Sequence, residues 1–310
     1  MEENKYTSED LKIMQSWDLQ RKIQVTQTRI IEWYEKNNGQ VYVSFSGGKD
    51  STVLLDLARR IYPDIPAVFV DTGLEYPEIK QFVKTKDNIT ILRPEISFRQ
   101  VIEKHGYPLI SKIVSHNVGV AKRNPDGRVR KIVFSPDKRG PYAMYKWKHL
   151  IDAPFDISEK CCDIMKKTPG KIYVKQTGRK PILGNMAEES RLRQDNWLKN
   201  GCNAFNLGKS QPMSFWTEQD VLEYISLTGI SYASVYGEII KDEYGKYHTT
   251  KCHRTGCVFC GFGCHLEKEP NRFQALKETH PKLWEYCMRD WDKGGLGMRE
   301  VLDYIGVKYE

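Results

Sequence analysis

The chain has 310 residues, 40% hydrophobic and 28% charged, with 48 Lys/Arg against 40 Asp/Glu for a formal charge of +8. That length supports one large domain or two modest ones, and the balance of apolar and charged residues excludes an intrinsically disordered chain. No apolar run is long enough to span a bilayer, and Met1-Glu2-Glu3-Asn4-Lys5 has no basic-then-apolar leader, so a cytoplasmic location without a membrane partner is expected.

From Ser8 to Lys36 the residues Leu11, Met14, Trp17, Ile23, Ile30 and Trp33 recur at helical spacing, which predicts an N-terminal helical segment over residues 1–36. Val41-Tyr42-Val43-Ser44-Phe45 alternates and is β-branched, as a strand does. The turn Ser46-Gly47-Gly48-Lys49-Asp50-Ser51 leads into Val53, Leu54, Leu57, Ala58 and Ile61, an amphipathic helix stopped near Pro63. Ala67-Val68-Phe69-Val70 is a short buried strand ending at Asp71-Thr72-Gly73. A helix is expected from Pro77 to Val83, a strand from Ile89 to Leu92 and a helix from Ser97 to Lys104. Alternation of this kind predicts an α/β fold, a doubly wound parallel sheet covered on both faces, with ligands at the carboxyl ends of the strands.

From Gly106 to Asp156 the pattern gives way to Gly, Pro, Asn and basic residues, the composition of a loop-rich insertion or flap. Ten bases (Lys112, Lys122, Arg123, Arg128, Arg130, Lys131, Lys138, Arg139, Lys146, Lys148) and two acids (Asp126, Asp137) lie between Lys112 and His149, leaving 38 bases and 38 acids elsewhere. The whole charge excess therefore sits in residues 112–149. Tyr142, Tyr145 and Trp147 are interleaved with these bases, a pattern that suits nucleic acid and also a solvated flap over a nucleotide's phosphates.

Ser158 is placed to cap a short helix that holds Cys161 and Cys162 and is ended by Thr168-Pro169-Gly170. Pro181-Ile182-Leu183-Gly184 is a further core strand. Thr217 with Asp220 forms a capping-box-like start for a helix through Ile225, with Gly229 near its end. A cysteine-rich segment from Cys252 to Cys264 and a helical, aromatic C-terminus follow. Three regions result: residues 1–36, a nucleotide-binding domain over 37–230 with the basic insertion 106–156, and 231–310.

The hexapeptide Ser46–Ser51 lacks the longer spacing of a Walker loop, but its physics is related. Two glycines between strand and helix let backbone N–H groups approach an anion, and the helix N-terminus adds partial positive charge. Lys49 adds a full charge, and Ser46 and Ser51 add hydroxyl donors. A pyrophosphate fits that inventory.

Ser-Gly-Gly-Lys-Asp-Ser resembles the signature of the ATP-pyrophosphatase (PP-loop) superfamily. Three further segments are similar to its phosphoadenosine-phosphosulfate (PAPS) reductase-like branch: Asp71-Thr72-Gly73 with Pro77-Glu78, Gly184 through Glu188, Glu189, Ser190 and Arg193, and Phe215-Trp216-Thr217-Glu218-Gln219-Asp220-Val221. Met186 stands where an arginine is more usual. The resemblance runs from about Val41 to Cys260, apart from the basic insertion. It implies that Ser46, Gly47, Gly48, Lys49, Asp50 and Ser51 hold the phosphates of ATP (with Mg2+) or of a sulfonucleotide, and that Asp71, Thr72 and Gly73 lie near the nucleoside. Lys49, Asp50, Ser51 and Arg193 become the catalytic candidates.

Eight cysteines in a reducing compartment favour metal over disulfides. Cys252, Cys257, Cys260 and Cys264 form a C-x4-C-x2-C-x3-C run that could hold one zinc ion. Alternatively Cys161 and Cys162, about 100° apart on a helix, join Cys257 and Cys260 around a [4Fe-4S] cluster. The resemblance implies the second solution, since adenylylsulfate reductases and the ATP-pyrophosphatase subunit of DNA phosphorothioation systems carry such a cluster. Cys252 and Cys264 remain as replacement ligands or as a nucleophile, and Cys202 and Cys287 as buried small hydrophobes.

A true sulfonucleotide reductase of this branch carries a nucleophilic cysteine in a C-terminal tail, and the closing Val301–Glu310 has none. The expected activity is therefore that of an iron–sulfur ATP pyrophosphatase, which activates a substrate by adenylation for sulfur transfer, with partner proteins of a sulfur-transfer or DNA-modification system. Two alternatives stand beside it: a sulfonucleotide reductase with a relocated cysteine, and a non-catalytic nucleotide-binding partner subunit holding iron–sulfur or zinc.

Overall fold

The computed structural model describes residues 4–140 and 143–310. Met1, Glu2 and Glu3 of the N-terminus and Tyr142 of the basic stretch lie outside them. The chain divides into two compact units, one of Met1–Asp71, Glu75–Arg93 and Gly170–Thr255, the other of Thr72–Leu74, Pro94–Pro169 and Gly256–Glu310. These cuts fall elsewhere than 36/37 and 230/231. The N-terminal helices share a core with the sheet, and the chain crosses between the units several times.

The first unit is built on a six-stranded sheet in the order Ile89–Leu92, Ala67–Val70, Val41–Ser44, Lys180–Leu183, Lys209–Ser210, Asn203–Ala204. All neighbours are parallel except the last pair. Val43 lies opposite Ala67 on one side and Ile182 on the other, and all three are fully buried. Burial on both faces is why these strands are runs of Val, Ile, Phe and Ala rather than strict alternations. Strand order reverses between Val41–Ser44 and Lys180–Leu183, so the loop after Val41–Ser44 opens at the topological switch point.

The helix Lys49–Arg59 follows that loop and buries Val53, Leu54, Leu57 and Ala58 completely, as its apolar spacing requires. The expected N-terminal helical segment is two helices, Ser8–Gln15 and Leu19–Lys36. Asp18 causes the break: its carboxylate accepts the N–H of Arg21 at 2.8 Å and caps a new helix. The helix Glu218–Thr228 starts at the Thr217/Asp220 capping box and ends at Gly229, whose φ of 64° is left-handed. Lys22 ties the long N-terminal helix to it, donating to both carboxylate oxygens of Asp220 at 2.7 Å in the interior.

The second unit corrects the expected loop-rich insertion. Residues 106–156 form a short strand Leu109–Ile110, parallel to Gly261–Phe262, then helices Lys112–Arg123 and Arg128–Val133 and a 3-10 helix Tyr145–Asp152. Ser111 caps the first helix by accepting from Val114 N–H, and Val114, Val118 and Ala121 are buried at i, i+4 and i+7. The basic residues between them had masked that period.

A second correction concerns Thr168-Pro169-Gly170, where no helix stops. Cys161 and Cys162 open a helical run that widens to π form at Asp163–Lys167 and continues as the helix Thr168–Thr177. The N–H and hydroxyl of Thr168 both donate to Asp163 O. That wider turn receives Pro169, which has no N–H and crowds a regular α-turn.

Candidate functional site

The glycine loop is shaped by its own side chains. Gly47 adopts φ +73°, and a Cβ there would come within 2.8 Å of the γ-methyls of Ile79 and Val83, so this position excludes any side chain. The N–H of Ser46 donates to Ser51 Oγ at 3.1 Å, the two hydroxyls lie 3.0 Å apart, and Gly48 N–H donates to Ser46 Oγ at 3.3 Å. Ser51 Oγ and Thr52 Oγ1 in turn donate to Gly48 O. The N-cap of the following helix is Gly48, with no side-chain oxygen to cap the first amides. A helix N-terminus attracts an anion. Gly184, at the end of the neighbouring strand, lies so close that a Cβ there would stand 3.3 Å from Asp50 O.

Lys49 is 3% exposed, with Nζ 3.1 Å from both Asp50 Oδ1 and Glu218 Oε1. Burial works against its charge, but Asp50 and then Glu218 outweigh it and hold the ammonium pKa above the ordinary lysine value. Its N–H donates to the hydroxyl of Tyr236 at 3.1 Å, which pairs with Thr255 Oγ1 at 2.7 Å. Arg193 reaches the same neighbourhood from the first turn of helix Arg191–Asn200. It pairs with Glu189, as Arg254 does at 2.7 Å. Burial, then repulsion by Arg254, lowers the pKa of Arg193, and attraction by Asp50 opposes the change.

Asp71 follows its strand directly and pairs with Lys80 at 2.7 Å and Arg93 at 3.7 Å. Thr72 and Gly73 belong to the second unit, where Thr72 Oγ1 accepts from Leu74 N–H at 3.2 Å. The first unit thus brings together Ser46, Gly47, Gly48, Lys49, Asp50, Ser51 and Arg193. Four residues of this surround had no assigned role in the sequence: Glu218, Tyr236, Arg254 and Thr255. Glu218 lay inside a motif already singled out. Tyr236 gave no signal, because its role depends on a contact 187 residues away in sequence.

The cysteines separate between the units. Cys161, Cys162, Cys257, Cys260 and Cys264 belong to the second, and Cys252 to the first. Burial pushes the Cys161 thiol up, with Cys162, Cys257 and Cys260 adding to the rise. Burial and then Cys257 push Cys260 up to about 11, with Cys162 contributing. Among the described residues no group of three or more His, Cys, Asp or Glu side chains is placed to hold a metal ion. Arg272 donates to Cys260 O at 2.9 Å and supplies positive charge beside the set. Four soft thiols from two segments of one unit are the donor type that iron–sulfur clusters take. Cys264 is buried and donates to Gly261 O at 3.2 Å, and Cys202 and Cys287 are buried too. Cys252 is half-buried and donates to Arg254 O at 3.0 Å. Burial raises its pKa, and the hydrogen bond to Arg254 and then the charge of Lys49 pull it back.

Among the described residues no helix is long and apolar enough to cross a membrane. Comparison with known proteins gives a match to the phosphoadenosine phosphosulfate reductase domain over residues 40–117 and 119–261. The chain is 24% identical over 284 residues to an uncharacterised protein of Methanocaldococcus jannaschii, covering 87% of this chain and 52% of that protein. A second uncharacterised protein of that organism is also 24% identical, with 41% of its length covered, so the chain spans about half the length of these relatives. An adenosine 5'-phosphosulfate reductase of Staphylococcus haemolyticus is 24% identical over 67% of this chain and 70% of its own. Among solved structures, a PAPS reductase from Candida auris in a phosphate complex aligns with 79% of this chain and 99% of its own, at 14% identity and a TM-score of 0.38.

Proposed function

The chain belongs to the phosphoadenosine phosphosulfate reductase domain family, and from that premise we propose that it binds ATP at the Ser46–Ser51 loop and adenylates a substrate for sulfur transfer. The observation that carries this reading is Lys49, a buried cation in the first turn of a helix with a glycine N-cap, on the sheet's switch point. An oxygen of the substrate would attack the α-phosphorus of ATP, the bond to the bridging oxygen would break, and pyrophosphate would leave with that electron pair. Lys49 and the loop amides would stabilise the charge gathering on the leaving group. Asp50 and Glu218 would hold the ammonium in place until phosphate replaces them, and Arg193 and Arg254 would add positive charge beside Asp50. A sulfur nucleophile would then displace AMP.

Cys161, Cys162, Cys257 and Cys260 would hold a [4Fe-4S] cluster. When bound, it would cross-link two segments of the second unit and supply electron-transfer chemistry. Zinc on the clustered cysteines is the alternative that metal analysis separates.

A second reading is sulfonucleotide reduction, for which Cys252 is the candidate nucleophile: it is half-buried, donates to Arg254 O at 3.0 Å and belongs to the same unit as the glycine loop. Its thiolate would attack the sulfur, the bond from sulfur to the bridging oxygen would break, and the nucleotide would leave with the electron pair. A second thiol would then attack Cys252 Sγ, forming a disulfide and releasing sulfite.

Anaerobic purification, iron, sulfide and zinc analysis, and parallel assays with ATP and with a sulfonucleotide plus thiol test both readings on one sample. Four irons and four sulfides per chain with pyrophosphate release support the first. Sulfite release lost in Cys252→Ser supports the second, and ATP binding without pyrophosphate or AMP overturns adenylation.

A further inference from the structure

The basic stretch is not absorbed by the nucleotide loop, and its charges are unevenly committed. Of its ten bases, two are used inside the second unit. Lys122 donates to Ala153 O at 2.9 Å and Phe155 O at 2.8 Å and lies 3.2 Å from Asp156, and Arg130 faces Asp152 at 3.6 Å. Both are half-buried. The other eight are all exposed, and among the described residues none of them pairs with an acid. A single exposed cation without a counter-charge is ordinary, but here eight come from 38 residues of a chain otherwise balanced in charge.

Packing explains why they are exposed. Helices Lys112–Arg123 and Arg128–Val133 and the 3-10 helix Tyr145–Asp152 pack on one another. They turn Val114, Val118, Phe134, Met144, Leu150 and Ile151 inward, so the bases are left on the outside. Two aromatic rings accompany them. Tyr145 is 51% exposed, with Lys148 Nζ 5.9 Å from its ring centroid. Trp147 has Lys146 Nζ at 4.9 Å and is held edge-on against His265 at 5.1 Å.

We propose that this basic segment of the second unit binds single-stranded nucleic acid, with the exposed bases along the phosphates and Tyr145 as a stacking platform. An anionic membrane would ask for a continuous apolar helix face on the outside, whereas Lys112–Arg123 buries Val114, Val118 and Ala121 in the unit's own core and leaves only Ile113 exposed among its large apolar side chains. The proposal is independent of the chemistry at Lys49.

The test is fluorescence anisotropy of a labelled oligothymidine strand with the full chain across a salt series. Affinity should fall steeply with salt, by a slope of about 0.7 per phosphate contact. The triple variant Arg128→Gln, Lys131→Gln and Lys138→Gln should flatten that slope by about 2 with an unchanged melting temperature, since glutamine keeps lysine's helix propensity. Tyr145→Ala should weaken binding roughly tenfold at a constant slope. Absent or salt-insensitive binding, a triple variant with the parental slope, or tighter binding to phosphatidylserine vesicles would overturn the proposal. Equal affinity for duplex, with Tyr145→Ala silent, would overturn the single-strand assignment.

Discussion

Lys49 is buried and keeps its charge, and its surroundings show how a loop without a serine-, threonine-, aspartate- or asparagine-type cap is held together. Gly47 supplies the left-handed turn, Ser46 and Ser51 lock the loop internally, and Asp50, Glu218 and Tyr236 hold Lys49 by its two nitrogens. Gly47→Ala should therefore lower stability by about 2–4 kcal/mol, combining a left-handed backbone penalty with overpacking against Ile79 and Val83. Thermal unfolding reads this out, and a variant melting with the parent would contradict the steric argument. The residues that hold the loop from within were legible in the sequence because they are adjacent. Tyr236, Thr255 and Arg254 were not, because only the fold brings them there.

At the level of elements, the internal pair Lys22–Asp220 joins two helices far apart in sequence. Lys22 is 2% exposed and also donates to Gln15 O at 2.7 Å, while Asp220 serves its own capping box. Lys22→Met should cost about 3–5 kcal/mol by stranding a buried carboxylate. In chemical denaturation, Lys22→Met with Asp220→Leu should recover part of the loss, and a Lys22→Met variant as stable as the parent would contradict the clamp. The strands and helices of the first 105 residues were legible because their period and caps agree. The basic insertion was not, since lysines and arginines hid the buried positions of Lys112–Arg123. The helix through Pro169 was missed because a π-turn accommodates what an α-turn excludes.

For the whole molecule, each unit buries a tyrosine whose pKa burial pushes up to about 12: Tyr42 in the first and Tyr107 in the second. Their folded pKa lies above the ordinary 10.0, so their contribution to stability is intact below pH 10 and is lost as pH rises toward 12. Tyrosinate absorbance followed beside circular dichroism should show these two ionising only as secondary structure is lost. Full ionisation of the folded protein near pH 10 would contradict their burial. The net charge of +8 likewise resolves into a place, the ten bases and two acids of residues 112–149 in the second unit, while the loop chemistry belongs to the first. The central claim is that Lys49 serves phosphate chemistry at the switch point, and the most direct measurement is pyrophosphate release from ATP by the anaerobically prepared protein and its Lys49→Ala variant. A loss of roughly a hundredfold or more, with the fold retained, is the predicted result; equal release by the two proteins would contradict it.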